Sequence, residues 1–140
     1  MFKFSLQSIL SLRRHKTLQA KNQLGRVIAA KVARLDELKE YQNEIGSLRS
    51  LGGMQALSFL QARFQRISHL EDEMFKLEKE IMNITEIEDL KRDFLSSAMV
   101  EEKTIDKLKE NEHEAYKYKM NKLENEELGE IALRKFYKQS

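Results

Sequence analysis

The stretch that decides the fold is Ser50-Leu51-Gly52-Gly53-Met54, which contains the only adjacent pair of glycines in the chain. A glycine pair is a strong turn signal. Little competes with it, because the 140 residues include five glycines and no proline. Without proline, nothing obliges a helix to end elsewhere. The sequence therefore predicts a single turn at about residues 51–55, with long helices on both sides.

Apolar residues recur at helical spacing on both sides of this turn. After it, the pattern begins at Leu60 and continues, with interruptions, to Ile131. Before it, one stripe alternates by steps of four and three, as in a left-handed coiled coil, with two polar members. This stripe consists of Leu24, Ile28, Lys31, Leu35, Leu38, Gln42 and Ile45. We expect helix one over about residues 4–50 and helix two over about 56–137.

Two such helices cannot bury their stripes alone, and a short connection makes them antiparallel neighbours. The predicted fold class is therefore all-α: one antiparallel two-helix coiled-coil hairpin over residues 1–140, with the second helix longer than the first. A turn centred on Gly53 pairs residues whose numbers add to about 107, so Lys16 should lie opposite Glu88–Asp93. Residues from about 107 to 140 should then project without an intramolecular partner.

The charges are distributed unevenly along the chain. Residues 1–35 carry eight basic residues and no acidic one, whereas residues 71–102 carry eleven acidic and four basic residues. A cationic start of this kind can bind nucleic acid or an anionic membrane, or form a transit peptide. It can also be covered by another part of the chain. We favour the last interpretation, because the hairpin lays the cationic block along the anionic one.

Sites of chemistry are not apparent in the sequence. No glycine precedes a lysine, so a phosphate-binding P-loop is excluded, and no cysteine is present as a nucleophile or zinc ligand. Glu110 and His113 match half of a di-iron helix motif, but such a site needs two such pairs in a four-helix bundle. We therefore expect no catalytic residue, no cofactor, no metal and no enzyme activity, but a mechanical or binding protein.

Three stretches resemble the flagellar FliJ family. The start, Phe2-Lys3-Phe4-Ser5-Leu6-Gln7-Ser8-Ile9-Leu10, is similar to the N-terminal signature Phe-x-Phe-x-Leu-Gln-x-x-Leu of that family, which also has a nearby arginine, here Arg13. The segment Leu38–Glu44 is similar to part of the family's first helix. The run from Lys103 through Tyr116 to Glu130 is similar to its C-terminal signature.

The resemblance implies a component of the bacterial flagellar type III protein export apparatus that lies in the cytoplasm, peripheral to the inner face of the cell membrane. It further implies a central stalk, similar to the gamma stalk of rotary ATPases, that enters the hexameric export ATPase and reaches the membrane export gate. Export chaperones are further implied partners, and nucleic acid is not one.

Carried onto this chain, the resemblance implies two sets of binding residues. Leu38, Tyr41, Ile45 and Phe64 would contact the export gate. The ATPase side would comprise Phe4, Leu6, Arg13, Tyr116, Leu123, Ile131 and Phe136.

Three other functions stay open at the level of sequence. A generic coiled-coil scaffold has the same composition, and the equivalent stalk of an injectisome needs the same physical properties. A nucleic-acid or membrane binder would use residues 1–35, and would need helix one to be uncovered.

Overall fold

A computed structural model describes residues 1–52 and 56–139. Helix α1 spans Gln7–Ser50 and helix α2 spans Leu57–Gln139, with 44 and 83 residues. The two helices pack against each other as an antiparallel hairpin, and the second is the longer, which confirms the predicted fold class. No strand occurs within these described ranges. Of the predicted turn, residues 53–55, and with them Gly53, lie outside the described residues.

Hydrogen bonds to nearby backbone carbonyls stabilise the ends of the helices. At the start of α1, the amide of Gln7 donates to the carbonyl of Phe4 at 3.2 Å. At the start of α2, the amides of Phe59 and Leu60 both donate to the carbonyl of Ala56. The guanidinium of Arg63 donates to the carbonyl of Leu51 at 2.9 Å. This bond satisfies a carbonyl that follows the last turn of α1, where intrahelical partners are no longer available.

The chain divides into two compact units. The hairpin unit comprises residues 19–96, and the terminal unit comprises residues 1–18 together with 97–140. In the hairpin unit, Ile45, Ile67 and Leu70 form a cluster of buried side chains, with Tyr41, Leu48 and Met74 packed around it. Buried positions of α2 recur by steps of three and four, so they form the seam of a coiled coil.

The predicted stripe of helix one was wrong at two positions, because Leu35 is exposed and the place assigned to Gln42 is taken by its neighbour. Gln42 is exposed, and Tyr41 packs on the core cluster in its place. A stripe read from sequence alternates between steps of three and four, so two adjacent residues are both compatible with the spacing. The larger aromatic ring occupies the interior because it buries more apolar surface. Lys31, the other polar exception, does lie at the seam, where it contacts Glu88.

The predicted register was also wrong. Four ion pairs join the two helices of the hairpin unit, and the numbers of their members add to between 110 and 120 rather than to about 107. They are Arg66 with Glu44, Arg34 with Glu80, Lys31 with Glu88 and Arg49 with Glu71. Apolar packing sets this register. Tyr41, Ile45, Leu70 and Met74 share one cluster, in which the numbers of Tyr41 and Met74 add to 115, as do those of Ile45 and Leu70. The shift is about one heptad, and it leaves the first two turns of α2 beyond the end of α1.

In the terminal unit, the first residues of the chain pack along the third quarter of α2. Phe4, Leu10 and Ala98 are buried, and Leu10 is fully so. Lys16 contacts Glu101 at 3.3 Å, so the predicted pairing of Lys16 with Glu88–Asp93 is replaced by one displaced toward the C-terminus. The hydroxyl of Thr17 donates to two carbonyls, that of Arg13 in its own helix and that of Ala98 in α2, the latter at 3.3 Å.

Candidate partner-binding surfaces

The paired part of the terminal unit ends at Tyr116. The α-amino group of Met1 donates to the Tyr116 hydroxyl at 3.2 Å, and the ring of Phe2 packs between His113 and Tyr116 with centroid distances of 4.8 and 5.4 Å. Lys109 donates to the side chain of Gln7 at 2.8 Å. The start of the chain therefore lies along α2 as far as Tyr116, and the part of α2 with no second helix beside it begins at residue 117, not near residue 107 as expected.

The C-terminal overhang, residues 117–139, has no buried position. Every one of its side chains is exposed, although it continues α2 without interruption. Its apolar members are too numerous for a solvated helix of this length. They are Tyr118, Met120, Leu123, Leu128, Ile131, Leu133, Phe136 and Tyr137. The rings of Phe136 and Tyr137 contact each other at 6.2 Å, and together they form an aromatic end.

Charges in the C-terminal overhang form three bands. Lys117, Lys119 and Lys122 come first, four glutamates follow between residues 124 and 130, and Arg134, Lys135 and Lys138 close the chain. Two overhangs paired side by side over their full length would place bands of like charge together, in either direction. The surface is therefore better suited to a different partner than to a second copy of itself.

The residues expected on the ATPase side fall into two groups. Leu123, Ile131 and Phe136 lie exposed in the C-terminal overhang, and Phe136 is 69% exposed. The other four belong to the paired part of the terminal unit. Phe4 is buried, Leu6 and Tyr116 are half-buried, and Arg13 forms an ion pair with Glu101 at 2.6 Å. The second group holds the start of the chain on α2, and only the first group offers free apolar surface.

The residues expected on the gate side lie near one another but differ in exposure. Tyr41 and Ile45 pack in the same cluster, and Ile45 is buried. Leu38 is half-buried at the next seam position of α1. Phe64 stands on the outside of α2, where it is 63% exposed and has the guanidinium of Arg63 at 5.8 Å from its ring centroid. Phe64 alone of the four presents a large apolar surface to solvent.

Sequence reasoning missed a series of exposed apolar residues along the outside of α2 in the hairpin unit. Phe75, Met82 and Leu90 are each more than half exposed, and the ammonium of Lys79 lies 4.5 Å from the centroid of the Phe75 ring. These residues lie off the seam. The seam of a coiled coil uses the a and d positions of each heptad. A large apolar residue one or two positions after a seam position could have identified this series, because a pair of helices leaves such a side chain uncovered.

One group of charges is buried in the seam of the hairpin unit. Glu88 is 8% exposed, and its two carboxylate oxygens accept from Lys31 at 3.0 Å and from Arg92 at 3.1 Å. These two hydrogen bonds hold the pKa of Glu88 below its usual range, against the opposing effect of burial. Burial and the nearby carboxylate of Glu37, which accepts from the hydroxyl, raise the pKa of Tyr41.

The cationic beginning of the chain is paired with acidic side chains of α2. In the terminal unit Arg13 and Lys16 share Glu101, and Arg14 contacts Asp106. In the hairpin unit Lys31 and Arg34 contact Glu88 and Glu80. This pairing favours the interpretation that the cationic block is covered within the chain, because a strong nucleic-acid site needs its basic side chains free for phosphates.

Residues suited to chemistry remain apart in the described part of the chain. No group of three or more histidine and acidic side chains converges there as a metal site, and Glu110 and His113 lack further ligands. None of its helices combines the length and apolar character that crossing a membrane requires.

Comparison with known proteins bears on these surfaces. No curated protein sequence and no solved structure gives a significant match. A family model described as "Flagellar FliJ protein" matches residues 2–140, which is essentially the whole chain. The match confirms the resemblance seen in the sequence. The chain belongs to the flagellar FliJ protein family and is a component of the flagellar export apparatus.

Proposed function

We propose that this chain is the non-enzymatic central stalk of the export apparatus, inserting into the export ATPase hexamer and linking it to the membrane export gate. The observation that carries the proposal is the C-terminal overhang, an exposed helix with eight apolar side chains that continues from a paired coiled coil. A ring of ATPase subunits can cover such a helix on all sides. Burial of these side chains would then provide the binding free energy.

The paired part of the terminal unit supports this role by giving the overhang a firm base. Met1, Phe2 and Phe4 pack on α2 as far as Tyr116, so the overhang begins where a second helix can no longer brace it. We assign direct ATPase contact to Leu123, Ile131 and Phe136. Phe4, Leu6, Arg13 and Tyr116 act by holding the base of the overhang in place.

At the gate side, the proposed contact is through Phe64, with Leu38, Tyr41 and Ile45 supporting the helix pair beneath it. Localisation follows from these contacts: the protein is cytoplasmic and peripheral at the inner face of the cell membrane, held there by the export gate. Export chaperones are further proposed partners. Coupling through a stalk requires contacts that differ between successive ATPase states, and a helix inside a ring supplies such differences because its different faces meet different subunits.

The test is hydrolysis of ATP by the cognate export ATPase with and without this chain. We expect the chain to change the hydrolysis rate or hexamer formation at saturating concentration. A variant with Leu123→Ala, Ile131→Ala and Phe136→Ala should lose most of this effect. The matched control, Phe75→Ala with Met82→Ala and Leu90→Ala, removes three exposed apolar side chains from the hairpin unit and should keep the effect. Equal behaviour of the two variants would argue against ATPase contact through the overhang.

A further inference from the structure

The side of α2 that faces away from α1 in the hairpin unit mixes apolar and charged side chains. Residues that follow one another by steps of three or four lie on one side of a helix. Phe75, Met82 and Leu90 lie on this side and are between 58% and 68% exposed, so their apolar surface is available to a partner. We call this side the outer face of α2, and its exposed members are Asp72, Phe75, Lys76, Lys79, Met82, Glu86, Asp89, Leu90 and Asp93.

Charges on the outer face of α2 form three bands of alternating sign. The first band is acidic, the second is basic, and the third is acidic again. The four carboxylates take part in no ion pair within the described residues, and the two ammonium groups stay exposed. A complementary partner therefore needs a cationic, an anionic and a second cationic band, with apolar side chains among them. The bands are Asp72, then Lys76 and Lys79, then Glu86, Asp89 and Asp93.

The C-terminal overhang carries the required order on one of its sides. This side is again defined by steps of three and four, and all of its members are exposed. Its charges run from cationic through anionic to cationic, and three of its members are apolar. It consists of Lys119, Met120, Leu123, Glu127, Glu130, Ile131, Arg134 and Lys138.

The two surfaces match in spacing as well as in sign. When Glu127 is placed beside Lys79, a parallel arrangement brings the residue seven positions further along each helix together. These residues are Arg134 and Glu86, which have opposite charges. In an antiparallel arrangement Arg134 lies beside Asp72 instead, which is seven positions before Lys79. Opposite charges therefore meet in either direction, whereas two overhangs laid side by side bring like charges together.

A single chain cannot bring these two surfaces together, because both belong to one unbroken helix, α2. A second copy of the chain can. Contact between the outer face of one copy and the overhang of another would cover exposed apolar side chains of both. Burial of this apolar surface would stabilise the contact, and the charge bands would select the alignment.

We propose that the outer face of α2 binds the C-terminal overhang of a second copy of this chain, so that the free protein self-associates reversibly. The contact joins two unlike surfaces, and is therefore heterologous. It goes beyond the stalk function and does not depend on it. A partner that covers the overhang would compete with this self-association.

Sedimentation velocity of the purified chain over a range of protein concentrations tests the proposal. We expect the mean sedimentation coefficient to rise with concentration, and to rise less at high salt because salt screens exposed charges. Reversal of the middle band of either surface should weaken the association at least tenfold. One variant carries Lys76→Glu with Lys79→Glu, and the other carries Glu127→Lys with Glu130→Lys.

The variant that combines all four substitutions should recover the native association. It has the net charge of the native chain, and opposite charges again face each other in the middle bands. Lys103→Glu with Lys107→Glu is the matched control, since it reverses two exposed lysines of α2 that lie outside both surfaces. This control should associate as the native chain does. Circular dichroism of each variant establishes that the helices are formed.

Three results would overturn the proposal. The first is a native chain that sediments as a monomer at every concentration, which would leave the outer face to a different protein. The second is an equal loss of association in the control, which would indicate a general effect of net charge. The third is a combined variant that associates no better than the variants with one reversed band, because matched bands would then not be what holds the copies together.

Discussion

Replacement of Gly25 by alanine should stabilise this protein. Gly25 lies inside α1, in a helical conformation, and a Cβ atom added there would meet nothing within 4 Å. Alanine therefore gains the helix propensity that glycine lacks, about 1 kcal/mol, without a steric penalty. The gain arises largely because alanine has fewer conformations to lose on folding.

The expected size follows from the length of the paired part. Unfolding of the roughly 110 residues that have a helical partner carries an entropy near 2.1 cal/mol/K per residue, so about 1 kcal/mol corresponds to a rise in Tm of about 4 °C. Thermal unfolding followed by circular dichroism at 222 nm measures it. Gly129→Ala is the matched control, because Gly129 is equally unobstructed but lies in the C-terminal overhang.

Gly129→Ala should raise the helix content at low temperature and leave the Tm of the main transition unchanged. A fall in Tm for Gly25→Ala would contradict the reasoning, because it would mean that position 25 is not an unobstructed helical position. An equal rise in Tm for both variants would mean that the overhang unfolds together with the paired part, contrary to this prediction.

Three further predictions concern the seam and the overhang. Glu88→Gln should destabilise the protein at pH 7, and the difference from the native protein should shrink as the pH falls below about 4: a depressed pKa contributes stability above the unfolded-state value, which is lost as the carboxylate is protonated. Urea unfolding of the native protein and of Glu88→Gln, at pH 7 and below about pH 4, measures the difference in their free energies of unfolding, and the same difference at both pH values would contradict the prediction. Backbone amides of residues 117–139 should exchange hydrogen much faster than those of residues 57–116, because a lone helix of this length is marginal in water; equal protection in mass spectrometry would refute this. Leu70→Ala should cost about 2–3 kcal/mol in urea unfolding, since Leu70 is fully buried in the core cluster, while the exposed Leu128→Ala should change stability by less than about 0.5 kcal/mol; similar values for the two would contradict the assigned core.

The helical hairpin could be predicted from very few residues. Gly52 and Gly53, in a chain without proline, predict two helices and one connection, and the opposite charges of residues 1–35 and 71–102 predict their antiparallel direction. The glycine pair is a local signal, and the charge signal depends only on the net charge of each long segment. Both therefore hold even when the exact pairing of residues is wrong. Lys31 could also be placed at the seam, because its neighbours Leu24 and Leu38 share its heptad position.

The register could not be predicted in this way. A turn-centred pairing assumes that both helices end level with each other. In the structure Tyr41 and Ile45 share one cluster with Leu70 and Met74, about eight residues further along α2 than that pairing places them. The register of the two helices depends on side-chain volumes and on where a buried ion pair can form. Neither can be deduced from the spacing of apolar residues alone. The same shift explains why the overhang begins at residue 117 rather than near residue 107.

Site-specific cross-linking with purified partners tests the stalk account most directly. A photoreactive amino acid is placed at Ile131 in one variant and at Phe64 in another, and each is mixed with both the cognate export ATPase and the cytoplasmic part of the export gate protein. The account predicts that the probe at Ile131 links to the ATPase and the probe at Phe64 to the gate protein. Links in the reverse order, or none to either partner at saturating concentration, would contradict it.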